Sequence, residues 1–217
     1  MRKPLPALAR RFPSKAVADR IIPWVQLAAL ILGGLWALLT YGESVADQKV
    51  QASVKLVDNY YADQGGKPSL QARYDQLWEN QLNAVKAAFD GKQPNPKDDG
   101  ERAAVRKKLV DAQQAFAAVP KHYEEFSRIY AYLSSVVVCV NQGRCDAAII
   151  KSSIGVDLFR FLNGACGYFD EVAARWNDKT TGQDLYDYVV KQKLEKLSSP
   201  NAASPFACDK FRAQYKR

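Results

Sequence analysis

The apolar positions of this chain follow one pattern up to residue 41 and a different one beyond it. From Ile21 to Tyr41 the run IIPWVQLAALILGGLWALLTY is apolar along its length, interrupted only by Gln26 and Thr40 before its terminal tyrosine. After residue 42, apolar residues recur at spacings of three and four, the period of a helix with one buried face, and no stretch alternates as a half-buried strand would. The predicted fold class is therefore all-α, an antiparallel bundle of about five to six helices after one N-terminal transmembrane helix. The predicted divisions are a basic tail at 1–20, the transmembrane helix at 21–41 and a helical domain at 42–217.

Within the domain, Val50, Val54, Val57 and Tyr61 share one helical face, on a helix that can run directly out of the apolar segment. The loop Gln64-Gly65-Gly66-Lys67-Pro68 ends it, and Ser69 is placed to cap the next helix, whose inner face is Leu70, Tyr74, Leu77, Trp78, Val85 and Phe89. Residues 91–100, GKQPNPKDDG, break the pattern most strongly, and Asp98 with Glu101 forms a capping-box pattern. Val105, Leu109, Ala112 and Phe116 mark a third helix ending before Pro120, and Phe126, Ile129, Tyr130, Leu133, Val137 and Val140 a fourth. A short helix near 146–152 and a long one bearing Ile154 through Trp176 follow. Thr180 with Gln183 forms a second capping-box pattern, opening a last helix with Tyr186, Val190, Leu194 and Leu197 inward.

The apolar run has 21 residues. As a helix it spans roughly 31 Å, close to the hydrocarbon thickness of a bilayer. Trp24 and Tyr41 lie near its ends, where amphipathic rings favour the headgroup region, and Pro23 is expected in the first turn. The net charge of +8 points at first to nucleic acid, but its distribution redirects that reading. Arg2, Lys3, Arg10, Arg11, Lys15 and Arg20 precede the segment against the single acid Asp19, while the rest of the chain holds 25 basic and 22 acidic residues. The excess is a positive-inside signal, setting the N-terminus in the cytoplasm and the body on the far side of the inner membrane, with no nucleic-acid partner. A cleaved signal peptide ending near Ser44-Val45-Ala46 is the competing reading, and the length of the apolar run argues against it.

Cys139, Cys145, Cys166 and Cys208 all follow the membrane segment, as disulfides facing an oxidising compartment would. Pairing Cys139 with Cys145 across a short turn and Cys166 with Cys208 is favoured, and Cys145–Cys208 with Cys139–Cys166 stays open. The spacing C-x5-C-x20-C-x41-C fits neither a zinc site nor a redox C-x-x-C.

The stretch Phe126 to Trp176, with its apolar helix, its turn bearing Asn141 and Gly143, and its helix ending at Arg175-Trp176, resembles an uncharacterised bacterial membrane-anchored helical domain family of unknown function. The likeness covers about a quarter of the chain. It implies a helical architecture behind a single membrane helix and supplies no catalytic residue.

Candidate chemistry is sparse. His122, the one histidine, sits beside Tyr123, Glu124 and Glu125 in what reads as an exposed first turn. Asp170 and Glu171 are adjacent and cannot face each other on a helix, while Asp157 and Arg160 read as an i,i+3 ion pair. Of the aromatics, Phe159 and Phe161 cannot share one narrow inner stripe, which leaves Phe159 as the expected surface contact. No hydrolase elbow, P-loop, dinucleotide or zinc-protease motif occurs, so neither cofactor nor catalytic residue is expected. The expectation is a membrane-tethered, non-enzymatic interaction module of the bacterial envelope, partnered by the bilayer through 21–41 and by a protein or a second copy. A ligand-binding domain with an inter-helix pocket is the alternative, and a carboxylate-dependent envelope hydrolase ranks behind it.

Overall fold

The computed structural model describes residues 15–63, 65–91, 94–95, 97–198 and 207–215. The basic residues from Arg2 to Arg11 lie outside that range, as do the side chains of Lys15, Arg20 and Leu197. The described residues form helices and connections, with no strand: α1 (Lys15–Tyr61), α2 (Leu70–Ala88), α3 (Asp99–Ala118), α4 (Pro120–Asn141), α5 (Ala147–Gly164), α6 (Cys166–Trp176), α7 (Gln183–Lys191), α8 (Glu195–Ser198) and α9 (Asp209–Tyr215). The chain divides into two compact units, residues 1–47 and 48–217.

In the first unit, the apolar stretch of α1 is exposed on all sides from Pro23 through Tyr41, including Trp24, Leu30, Trp36 and Tyr41. A core helix of a water-soluble domain would bury one such face. This is a candidate membrane helix, with a mean hydropathy of 1.6 in its most apolar window. Pro23 falls well inside the helix rather than in its first turn, because α1 begins at Lys15. The helix takes in the last six residues of the basic tail, KAVADR, ahead of the apolar run. Gly42 does not interrupt the helix either.

The second unit is organised around α5, whose Ile150, Ile154, Leu158, Phe161 and Leu162 are fully buried. Each such side chain contributes about 1.5–3 kcal/mol on burial. Ile129, Leu133, Val136 and Val137 of α4 and Leu185, Tyr188 and Val189 of α7 share that core. Helix α3 packs most closely on α6 and also on α2, and α7 packs on both α4 and α5. Phe161, Phe169 and Phe211 make successive edge-on contacts with ring centroids 6.0 and 5.6 Å apart. Such arrangements add about 0.5–1.5 kcal/mol each.

Local signals explain most boundaries. Ser69 caps α2 by accepting from Ala72 N at 3.1 Å. Asp98 caps α3 by accepting from Glu101 N at 2.8 Å, while Glu101 reaches back to Lys97 N, one residue short of a standard capping box. Pro120 opens α4, where its missing N–H costs nothing.

Four expectations are corrected. The inner face of α1 is Ser53, Leu56, Val57 and Tyr60, so Val50, Val54 and Tyr61 are exposed. Ser53 decides this, because its Oγ donates to Lys49 O and accepts from Asp146 N, both at 2.7 Å, and a polar residue with two partners can occupy a buried position. The short helix near 146 is the start of α5, capped by Asp146, and the break comes instead at Ala165. There Gln81 Nε2 donates to Gly164 O at 2.8 Å, satisfying one carbonyl at the end of the helix, and Asn163 Oδ1 accepts from Ala207 N at 2.8 Å, tying the C-terminal segment to the break.

The pattern at Thr180 and Gln183 makes no capping box. Asp178 draws in both threonine hydroxyls, Gln183 Nε2 turns to Asp187, and Gly182 caps α7 with φ +88°, a conformation suited to glycine. The last predicted helix is two pieces, α7 and α8, divided where Lys193 adopts φ +55°.

Candidate functional site

A run of exposed and half-buried apolar side chains on the second unit lies where α2 and α3 approach their connecting loop. Burial on α2 is confined to Tyr74, Leu77 and Gln81, and on α3 to Phe116 and Ala117. The remaining loop-proximal turns project beyond the core. Trp78 and Leu82 are 39% and 43% exposed, and Val85, Phe89, Val105 and Leu109 are only partly covered. Periodicity placed Trp78, Val85, Phe89, Val105 and Leu109 on inner faces. The structure instead makes them the walls of an open groove.

The groove holds a cleft of about 350 Å³ lined by Leu82, Val85, Lys86, Phe89, Gly91, Pro94, Val105 and Leu109. It runs through the shared residues Leu82, Val85 and Leu109 into a smaller cleft of about 70 Å³ beside Trp78, Gln81 and Gln113. Gln81 sits at the base of the smaller cleft, 3% exposed, with Nε2 committed to Gly164 and Oε1 without a hydrogen-bond partner. Lys108 Nζ stands 5.2 Å from the Phe89 ring centroid, a cation–π distance. Leu82 went unrecognised in the sequence, although its spacing to Val85 and Phe89 (i, i+3, i+7) is the apolar-stripe signal.

A second cluster lies among α1, α2, α4 and α5. The rings of Tyr60 and Tyr132 stack at 5.7 Å, and Tyr61 meets Tyr60 edge-on at 5.1 Å. The Tyr60 and Tyr74 hydroxyls are buried without completing a hydrogen bond of normal geometry. Burial first, then the Asp157 carboxylate, holds both phenols far above their ordinary range. Burial likewise raises Asp157, against the opposing pull of Arg160, whose guanidinium lies 3.8 Å away in the expected i,i+3 pair. The Tyr60 phenol donating to Asp157 pulls that carboxyl down, and the Asp75 carboxylate adds to the upward push of burial.

The other expected residues are located as follows. Cys139–Cys145 and Cys166–Cys208 are the disulfides, with S–S distances of 2.03 and 1.91 Å, and no free cysteine remains. Phe159 is 5% exposed and is therefore not a surface contact. Neighbouring helices enclose α5 on more than one side, so Phe159 and Phe161 can both be buried on different faces. His122 is half-buried rather than solvated, stacked on Phe116 at 3.8 Å with Nδ1 3.0 Å from Phe116 O. Glu171 pairs with Arg175 at 2.6 Å. Among the described residues no group of three His, Cys, Asp or Glu side chains could hold a metal ion.

The second unit thus carries an apolar surface groove on an all-helical body. Comparison of the chain with protein-family models, with curated proteins and with solved structures yields no match.

Proposed function

We propose that the protein is a membrane-tethered, non-enzymatic interaction module of the bacterial envelope. In this reading residues 1–20 lie in the cytoplasm, residues 21–41 cross the inner membrane with Trp24 and Tyr41 at its surfaces, and the body is an antiparallel helical bundle on the periplasmic side. The basic residues ahead of the span and the two disulfides behind it support that orientation. The observation that carries the interaction role is the contiguous exposed apolar surface of α2 and α3, which costs solubility unless something covers it.

The test is photo-crosslinking of the whole chain in native membranes, with the reactive group placed in turn at Leu82 and at Trp176, an aromatic of the body that is 72% exposed. A discrete protein adduct from at least one position is expected. No adduct from either position, with a monomeric species in mild detergent, would overturn the proposal.

The cleft between α2 and α3 also falls in the size range of small-molecule sites and supports a second reading as a ligand-binding domain. Under that reading, extraction of purified protein with organic solvent releases a stoichiometric small molecule.

A further inference from the structure

We infer that the α2–α3 groove receives an amphipathic helix of about three turns, apolar on one face and acidic along its flank. This rests on the reading of the body as an interaction module and names the chemistry of its partner.

Length comes first. The α2 wall runs from Trp78 to Phe89, about 16 Å along the helix axis, which matches about three turns of a partner helix. Leu82, Val85 and Phe89 form one ridge and Val105 with Leu109 the other. Two such ridges are the surface on which a third helix seats its own i, i+4 row. A shallow cleft open to solvent along its length suits a helix better than an acyl chain, which needs enclosure on all sides.

Charge selects the flank. Lys86 lines the groove and Lys108 stands over Phe89. Arg102 and Arg106 border the adjoining cleft on the far side of the Val105–Leu109 ridge. Among the described residues no Asp or Glu lines either cleft or the small one at the Gln81 end, although Arg102 pairs with Asp99 nearby. Lys86 and Lys108 make the loop-proximal part of the rim cationic, and carboxylates on the occupant complement it within a Debye length.

Gln81 then separates a peptide from a lipid. Its amide is held in one orientation by the bond to Gly164 O, which leaves Oε1 as a buried acceptor with no donor. The small cleft it lines has room for one short side chain. Oε1 is itself covered, so a Ser or Asn on the partner helix supplies the missing donor once the side chains over it move aside, whereas a hydrocarbon tail supplies none.

The experiment uses the full chain in a nonionic detergent and a labelled synthetic helix with Leu at i, i+4 and i+7, one Ser, and Glu along the flank. A twin peptide carries Lys for Glu, and a labelled long-chain fatty acid is the third probe. Binding of the acidic peptide at least tenfold tighter than its twin is expected, weakened at least tenfold by Leu82→Glu and by Lys86→Glu, and falling with added salt. Leu82 and Lys86 are exposed, so both variants are expected to keep the wild-type circular dichroism. Equal binding of the two peptides, binding indifferent to Leu82→Glu, or Leu82-dependent binding of the fatty acid alone would overturn the inference. Crosslinks from Trp176 with none from Leu82 would overturn it too while leaving the interaction role standing; silence at both positions removes that role as well.

Discussion

The indole of Trp78 rests directly on the α-carbon of Gly164: a Cβ built on that glycine would stand 1.7 Å from Trp78 Cζ3. Trp78 therefore holds α2 to the end of α5 while leaving an edge of its ring in the groove. Gly164→Ala is expected to expel the ring and destabilise the body by about 1–3 kcal/mol, the usual cost of overpacking. In a Trp78→Ala background the same substitution should cost little. Gly167→Ala is expected to cost more than Gly164→Ala, because its Cβ would meet backbone atoms of Gln113 at 2.3 Å, and backbone cannot rotate aside. Thermal melts of the full chain followed by circular dichroism give the order.

The two disulfides should differ in value. Cys166–Cys208 closes a loop with a sequence separation of 42, and Cys139–Cys145 one of 6. Chain entropy alone gives about 4 kcal/mol for the long loop and about 2 kcal/mol for the short one. Paired Cys→Ala variants, compared by thermal melts, are expected to show the larger loss for the long loop. A larger loss for the short loop would assign the stabilisation to the turn after α4 instead.

Ser53 links the inner face of α1 to the start of α5. Replacing it with Ala strands the Asp146 N–H and should cost about 1–3 kcal/mol, the penalty for an unpaired buried donor. Ser53→Val should be worse, since it adds volume at a fully buried position without restoring the acceptor. Faster amide exchange at Asp146 would locate the damage.

The buried tyrosines divide by partner. The Tyr74 hydroxyl completes no hydrogen bond, so Tyr74→Phe is expected to be neutral or stabilising, whereas Tyr60 faces the half-buried Asp157 carboxylate and Tyr60→Phe is expected to cost stability. Tyr132, pushed up to about 12 by burial, donates to Leu56 O, and Tyr132→Phe should lose about 0.5–1.5 kcal/mol. Denaturation midpoints of the three variants in one detergent make the comparison.

Two aspartates should shape acid stability in opposite senses. Burial raises Asp157, so the folded state holds its proton more tightly than the unfolded chain does. Its contribution is greatest below the ordinary carboxylate range and is lost as pH rises through the unfolded and then the folded value. Asp157→Asn should therefore gain on the wild type as pH rises across that window and stay level above it. Asp178 runs the other way. Hydrogen bonds from Thr180 and Thr181 lower it to about 2, so its contribution is present above the ordinary range near 3.9 and fades as pH falls toward 2. Asp178→Asn should flatten that acid limb in a pH series of melting temperatures.

What the linear sequence determined here is what depends on near neighbours along the chain. The helix caps at Ser69 and Asp98, the stop before Pro120 and the uncharged apolar run from Ile21 to Tyr41 are all set by residues within a few positions of one another. Period alone also gave helices as the fold class, and the favoured cysteine pairing matches the disulfides that formed. Tertiary structure decided which side of each helix the core would use. Ser53 displaced Val50 and Val54 from the buried face of α1 because Asp146, far along the chain, offered it a partner. Phe159 went inward because α5 is covered on more than one side. Leu82, Val85 and Leu109 carry an ordinary core pattern, yet they line an open groove because the described core is built around α5 and does not extend over this part of α2 and α3. Periodicity reports that a face is apolar; whether it meets protein, lipid or water depends on which distant segments reach it.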